Sequence, residues 1–378
     1  MTLDQLSILN FKNILEASLA FSPKINCFTG LNGVGKTNLL DAAHYLSFCR
    51  SAVTRGGDTA VMTHGAEMMI LQGRYTRRGD TESVSVGLAR GKRKVVKRNG
   101  KEYQRLSQHI GLLPAVMISP LDWDLIRGAG EERRRLMDQI ISQGDRQYLD
   151  ALIRYGKSLE SRNTMIRDGT RDPILLEAVE QQLCATATVI HQAREKWAAE
   201  FAPIFLRYYQ AIAQSGETVD AAYRSHLNDA PMQQLLDQSR DRDYLLGYTT
   251  CGTHRDDIEL ALDGYPMRRT GSQGQCKTYT IALRLAQFEF LKQASGTTPI
   301  LLLDDIFDKL DANRVRNIIA VVAGDAGQHF GQIFITDTNR TNLDEIIRSS
   351  GRDYKIFSVD NGVCALTESG GDGGATAP

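Results

Sequence analysis

Gly30-Leu31-Asn32-Gly33-Val34-Gly35-Lys36-Thr37 follows an apolar stretch, Ile25 to Phe28, and opens a helix-like run from Asn38 to Phe48. Strand, glycine-rich turn and helix start, in that order, are the context in which a P-loop has physical meaning. Glycine lets the backbone curl so that successive N–H groups face one phosphate chain. The helix start adds its partial positive charge. Lys36 can reach the β- and γ-phosphates, and the Thr37 hydroxyl can ligate Mg²⁺. The chain reads as a binder of a nucleoside triphosphate.

Far downstream, Ile300-Leu301-Leu302-Leu303 is followed by Asp304-Asp305. A strand that is apolar on both faces is a central, doubly covered one. Carboxylates at its C-terminal end sit where α/β folds place ligands. Asp304 would hold Mg²⁺, directly or through water. Asp305 is placed to polarise an attacking water as general base. Between the two motifs lies Ser272-Gln273-Gly274-Gln275, at the start of a helical run from Gly274 to Lys292. A hydroxyl, free amides and a helix dipole there make a second phosphate cradle. One chain needs only one cradle for its own nucleotide. The second therefore serves the γ-phosphate held by another copy, the ABC-type arrangement of two molecules and two ATPs head to tail. Alone, such a tetrapeptide is an ordinary helix cap; its order between the other two motifs gives it weight.

The 378 residues are 42% apolar and 24% charged, ordinary values for a globular chain large enough for two or three domains. No apolar run approaches the roughly 20 residues of a membrane span. Met1 to Asn10 lacks the basic and apolar segments of a secretory signal. The six cysteines (27, 49, 184, 251, 276 and 364) form no C-x-x-C pair, so a reducing cytoplasm without zinc site or disulfides is the simplest fit. Formal net charge is zero, so nucleic-acid binding must come from local patches. One is Arg90, Lys92, Arg93, Lys94, Lys97, Arg98, Lys101 and Arg105, opposed only by Glu102 and turning at Asn99-Gly100. It is either a solvated hairpin with charged edges or a phosphate-tracking β-ribbon.

Short alternating runs over 3–29 predict two or three strands leading into the P-loop, and 68–76, 83–89 and Val116 to Ser119 predict more. From about Glu131 the period changes to three or four. Val179, Leu183, Thr186, Ile190, Ala193, Trp197, Phe201, Ile204 and Tyr208 make a long stripe that Pro203 should bend or end. The spacing predicts an α/β protein: a P-loop head lobe from 1–124 and 244–366, an inserted, mainly helical lobe over 125–243, and a disordered Gly/Ala-rich tail at 367–378.

P-loop, long helical insert, short signature and aspartate strand together resemble the compact ABC-type ATPases of DNA repair, the RecF family. The resemblance extends over about 1–366. Leu9-Asn10-Phe11-Lys12-Asn13 is similar to the family's opening strand and basic turn. Ile118-Ser119-Pro120 through Arg133-Arg134-Arg135-Leu136-Met137-Asp138 is similar to its Ser-Pro-x-Asp … Arg-Arg-Arg-x-x-Asp segment. Gly252-Thr253-His254-Arg255-Asp256-Asp257, Ser272 to Arg284 and the Leu310-Asp311 D-loop resemble its later motifs. The resemblance implies ATP held by Gly30 to Thr37 (Gly30, Leu31, Asn32, Gly33, Val34, Gly35, Lys36, Thr37) with Asn38, Lys12 and Asn13. It implies Ser272, Gly274 and Gln275 acting from a second copy. It further implies Mg²⁺ on Thr37 and Asp304, and Asp305, Lys36 and Ser272 as the catalytic set. The implied activity is a weak, DNA-stimulated ATPase that switches a dimer on DNA at gaps or junctions, with RecO and RecR as partners in loading the strand-exchange recombinase.

Two departures from other ABC ATPases matter. Asp305 stands where glutamate is usual, one methylene shorter, and Thr336-Asp337-Thr338 stands where a switch histidine is usual. Both weaken water activation and predict slow turnover, with ATP as clamp and hydrolysis as release. His254 reads as part of a polar network rather than a metal ligand. Arg133 to Arg135 either face DNA or pair with Glu131, Glu132 and Asp138. The rival reading, an ABC subunit driving a transport or chromosome-organising partner, expects Leu-Ser-Gly-Gly-Gln and a switch histidine, or hundreds of heptad residues. This chain has none of these.

Overall fold

A computed structural model describes residues 1–308, 310–323, 330–338, 340–351 and 353–371. The chain divides into two compact units. The first comprises Met1–Asp122, Ala211–Gln214 and Gln273 onward; the second comprises Trp123–Gln210 and Ser215–Ser272.

The first unit contains two six-stranded sheets. One is antiparallel: β1 (Thr2–Phe11), β2 (Ile14–Ala20), β4 (Met68–Arg77), β5 (Asp80–Ala89), β6 (Val95–Arg98) and β7 (Lys101–Glu102), in the order β2-β1-β4-β5-β6-β7. Its strands alternate, Met69, Leu71, Tyr75, Val84, Val86 and Leu88 facing inward while Met68, Ile70, Gln72 and Arg74 face water. The other sheet has the order β15-β14-β3-β13-β12-β8, with β3 (Ile25–Thr29), β8 (Ala115–Ile118), β12 (Ile300–Asp304), β13 (Ile333–Asp337), β14 (Tyr354–Asp360) and β15 (Val363–Gly370). All its pairs are parallel except β14 with β15. Every residue of β12 and β13 is buried, as strands covered on both faces require.

The helix α1 (Lys36–Phe48) packs against both sheets and is buried on nearly every side. Leu39, Leu40, Tyr45 and Leu46 join Leu6 and Ile8 from one sheet and Phe28, Leu302, Phe334 and Phe357 from the other in a single core. The rings of Phe21 and Phe334 meet edge to face at 4.8 Å, close to the favoured aromatic geometry. Buried Gln332, just before β13, closes the seam: its amide nitrogen donates to the Leu3 and Ser22 carbonyls and its oxygen accepts from the Leu3 N–H. The expected tail begins later than residue 367, because β15 pairs with β14 as far as Gly370; residues 372–378 lie outside the described residues.

The second unit holds α2 (Trp123–Arg127), α3 (Gly130–Gly144), α4 (Arg146–Arg167), most of α5 (Pro173–Ala213), α6 (Met232–Leu246) and α7 (Met267–Thr270). It also contains a three-stranded antiparallel sheet of β9 (Val219–Arg224), β10 (Asp257–Leu262) and β11 (Tyr265–Pro266). The expected boundary at residue 243 is therefore corrected. β10 is a strand, as its alternation predicts, but it pairs along its whole length with β9, inside the insert. The helical periodicity on either side of β9 hid it. Pro203 does not end α5, since Phe201, Ile204, Phe205, Tyr209 and Ile212 are buried along the same face and hold the helix through it.

Leu46 is fully buried on α1, whereas Leu15 on β2 is exposed. Leu46→Ala should cost about 2–5 kcal/mol in urea unfolding and Leu15→Ala near zero; equal costs would contradict the placement of α1 in the core.

Candidate nucleotide site

The loop between β3 and α1 depends on three glycines in the left-handed region: Gly30 (φ 152°), Gly33 (φ 82°) and Gly35 (φ 114°). A Cβ at Gly30 would lie 2.4 Å from the Val359 carbonyl oxygen, and one at Gly35 would lie 2.8 Å from the Asn13 amide. The tip, Leu31 to Gly33, is exposed, while Gly35 and Lys36 are buried at its base. The Lys36 ammonium donates to the Gly30 carbonyl at 2.6 Å and the Leu31 carbonyl at 2.8 Å, so it arches over the loop. Burial lowers its pKa, while the charges of Asp305, Asp304 and Asp337 pull it back up.

Parallel register brings the acidic strand to this loop. In the sheet, β13 lies between β3 and β12, with Asp337 opposite Thr29 and Thr336 opposite Asp304. The Thr37 hydroxyl lies 2.9 Å from both carboxylate oxygens of Asp304. The Thr336 hydroxyl donates to Asp304 Oδ1 at 2.7 Å and accepts from the Asp305 N–H at 3.1 Å. Burial raises the Asp304 pKa, and the two threonine hydroxyls oppose that rise. Asp305 sits at φ 47°, a conformation held by its N–H bonds to Thr336. Burial, then the charges of Asp337 and Asp308, raise its pKa. A hydroxyl and a carboxylate converging beside a phosphate cradle are hard oxygen donors of the kind Mg²⁺ takes alongside phosphate oxygens.

The other expected residues divide. Asn13 and Asn38 brace the loop: Asn38 Nδ2 donates to Asn13 Oδ1 at 2.8 Å, and Asn13 Nδ2 to the Val34 carbonyl at 3.1 Å. Lys12 is directed elsewhere, its ammonium 2.7 Å from the buried Asp41 carboxylate, which also accepts from Ser51 and the Ala52 N–H. Ser272 is exposed immediately before α8 (Gln273–Ser295), and a Cβ on Gly274 would meet the Arg314 guanidinium at 2.3 Å. On the basic hairpin, Lys94 pairs with Asp58, Arg98 with Glu82 and Arg90 with Glu67. Lys92, Arg93, Lys97, Lys101 and Arg105 are exposed.

In the second unit the Arg133 and Gly252 segments meet in one ionic network. Arg133 grips Asp257 with two bonds (2.6 and 2.8 Å), and Arg134 donates to the Asp256 carbonyl. Buried Arg194 joins Asp138 (2.8 Å), Asp256 (2.6 Å) and the Thr253 carbonyl. Of the three consecutive arginines only Arg135 pairs with Glu131 and Glu132 as its spacing predicts. His254 makes polar contacts of its own, its ring bonded to the Tyr155 hydroxyl and the Thr249 carbonyl. Arg194 went unseen because it interrupts the apolar stripe of α5, where a charged residue reads as solvent-facing. Thr336 was noticed only as part of the tripeptide that stands where a switch histidine is usual.

The sequence profile of the family described as RecF/RecN/SMC N terminal domain matches residues 2–364. The chain is 52% identical over 362 residues to the DNA replication and repair protein RecF of Parabacteroides distasonis, covering 96% of this chain and 98% of the relative. It is 50% identical over 364 residues to the RecF of Porphyromonas gingivalis, with 96% and 99% covered. Among solved structures, that of the recombination mediator protein RecF with ATP, in the RecFOR pathway, superimposes with a TM-score of 0.85 at 25% identity, covering 97% of this chain and 98% of that one. An Smc head bound to the C-winged helix domain of ScpA matches with a TM-score of 0.59 at 13% identity, covering 99% and 98%, and shares the fold. The architecture is that of the ABC-type ATP-binding heads of this group.

Gly35→Ala should weaken binding of a fluorescent ATP analogue at least about tenfold, because the new Cβ meets both strain and Asn13; wild-type affinity would show that the loop geometry is not needed. A second expectation concerns pH. Burial holds His44 and His254 at about 4, whereas an unfolded histidine titrates near 6.5. Between those values the unfolded chain binds more protons. The stability contributed by keeping each histidine neutral is therefore complete above pH ~6.5 and is lost toward pH 4, by about 2–3 kcal/mol per histidine. Urea midpoints across this range should drop in wild type and drop less in His254→Gln; identical profiles would contradict the assignment.

Proposed function

The chain belongs to the RecF family of DNA replication and repair proteins, and from that premise we propose that it is an ATP-gated DNA clamp. In this reading two copies close head to tail on two ATPs, the Lys36 loop of each meeting the Ser272 helix start of the other. The observation that carries it is the convergence of Lys36, Thr37, Asp304 and Asp305 on one sheet edge, together with an exposed Ser272 at the start of α8. Lys36 leaves the two loop carbonyls for the β- and γ-phosphate oxygens. Thr37 and Asp304 hold Mg²⁺, which supplies positive charge against the phosphate oxygens. Asp305 accepts the proton of the attacking water. Its short side chain, and Thr336-Asp337-Thr338 where a switch histidine is usual, fit a slow step. ATP then fixes the closed dimer and hydrolysis releases it.

DNA is met by five exposed cations of the β5–β7 hairpin, Lys92, Arg93, Lys97, Lys101 and Arg105. RecO and RecR, companions of the related mediator in the RecFOR pathway, are the proposed partners in loading a recombinase at gaps, in the cytoplasm. Sedimentation with Mg-ATP should give dimers for wild type and monomers for Lys36→Met and Ser272→Arg. Steady-state turnover with long DNA should stay below about one per second, and DNA affinity should fall steeply with salt. Dimers in both variants, or turnover of many per second, would overturn the proposal.

A further inference from the structure

Thr336 stands on β13 between the two strands that carry the nucleotide machinery, and its hydroxyl both donates and accepts. Its one proton goes to Asp304 Oδ1 at 2.7 Å, and one lone pair receives the Asp305 N–H at 3.1 Å. The residue is wholly buried, so water cannot substitute for either bond. The backbone carbonyl of the same residue takes the Asp305 N–H as well, at 3.2 Å. A single threonine thus fixes the carboxylate expected to face the metal and the backbone of the carboxylate expected to face the water.

Asymmetry follows from these contacts. Asp304 Oδ1 is held by Thr336 from within the sheet, whereas both its oxygens lie equally near Thr37, at 2.9 Å. If Thr37 were to turn to a metal ion, Thr336 would still hold Oδ1, and Oδ2 would be the carboxylate oxygen left for that ion. Outer bonds of this kind orient ligands and commonly change metal affinity by about 10–100-fold. Resting on the Mg-ATP reading above, we propose that Thr336 is the positioning residue that orients Asp304 for Mg²⁺ and couples it to Asp305. No proton leaves or enters Thr336 in this role; it orders acceptors and does not touch the reacting atoms.

Thr336→Val keeps the shape and removes the hydroxyl, and Thr336→Ser keeps the hydroxyl and removes the methyl. Binding of a fluorescent ATP analogue is titrated with Mg²⁺ and, separately, in EDTA, and Mn²⁺ uptake is counted by electron paramagnetic resonance. The valine variant should bind nucleotide in EDTA like wild type, yet need about tenfold more Mg²⁺ or Mn²⁺ for half-saturation. The serine variant should lie within about twofold of wild type. If the valine variant fails to fold, Thr336→Ala supplies the same comparison without the branched side chain. A metal midpoint unchanged in valine or alanine, or an equal shift in serine, overturns the inference. A wild-type protein whose nucleotide affinity ignores Mg²⁺ overturns the underlying site reading instead, so the two failures are told apart.

Discussion

The hydroxyl of Thr37 and the carboxylate of Asp304 lie within hydrogen-bond distance although 267 residues separate them. That contact exists because β3, β13 and β12 run parallel and in register, so their C-terminal ends finish in one row. Parallel strands cannot be joined by tight turns and need covered faces. The first unit meets the requirement by inserting α1 between the two sheets and burying nearly all of it. A nucleotide site assembled from distant segments is thus a by-product of how the parallel sheet is covered.

Burial has electrostatic consequences at the same edge. Lys36, Asp304 and Asp337 are buried and Asp305 is half-buried, and the lysine is pushed down while Asp304 and Asp305 are pushed up. Uncompensated charge in such a place is costly, so threonine hydroxyls and loop carbonyls take up the available bonds. The same edge therefore holds its groups in fixed orientations. Electrostatic preorganisation of this kind is what phosphoryl chemistry uses. The second unit applies a similar economy to a different end: Arg162 and Arg194, both buried, are each met by two carboxylates. The Arg194 pairs take up Asp138 and Asp256, one from the Arg133 segment and one from the Gly252 segment.

Much of the first unit was legible in the sequence because its signals are local. The P-loop needs glycine at fixed offsets, and the apolar run before Asp304 has one structural solution, a central strand. Alternation marked β4 and β10 within a residue of their ends and β5 within three. What stayed hidden depends on partners distant in the chain. β9 was lost between two helical stretches, and without it β10 was assigned to the wrong unit. Pairing between Arg133 and Asp257 cannot be read from spacing, whereas the neighbouring Arg135 pairs, three and four residues apart, can. Lys12 belongs to the stretch that resembles the family's opening strand and basic turn, and nothing in that stretch announces its ion pair with the buried Asp41. Thr336 carries no sequence signal of its own, since a threonine in a buried strand is unremarkable until the neighbouring strand is seen.

The gripping of one triphosphate by two copies is the step that joins fold to function. A crystal structure with Mg²⁺ and a non-hydrolysable ATP analogue addresses it most directly. The account predicts Lys36 Nζ on the phosphates, Thr37 Oγ on the metal, and Ser272 of a second copy beside the γ-phosphate. Nucleotide bound in the loop with residue 272 of every copy remote from any phosphate would contradict it.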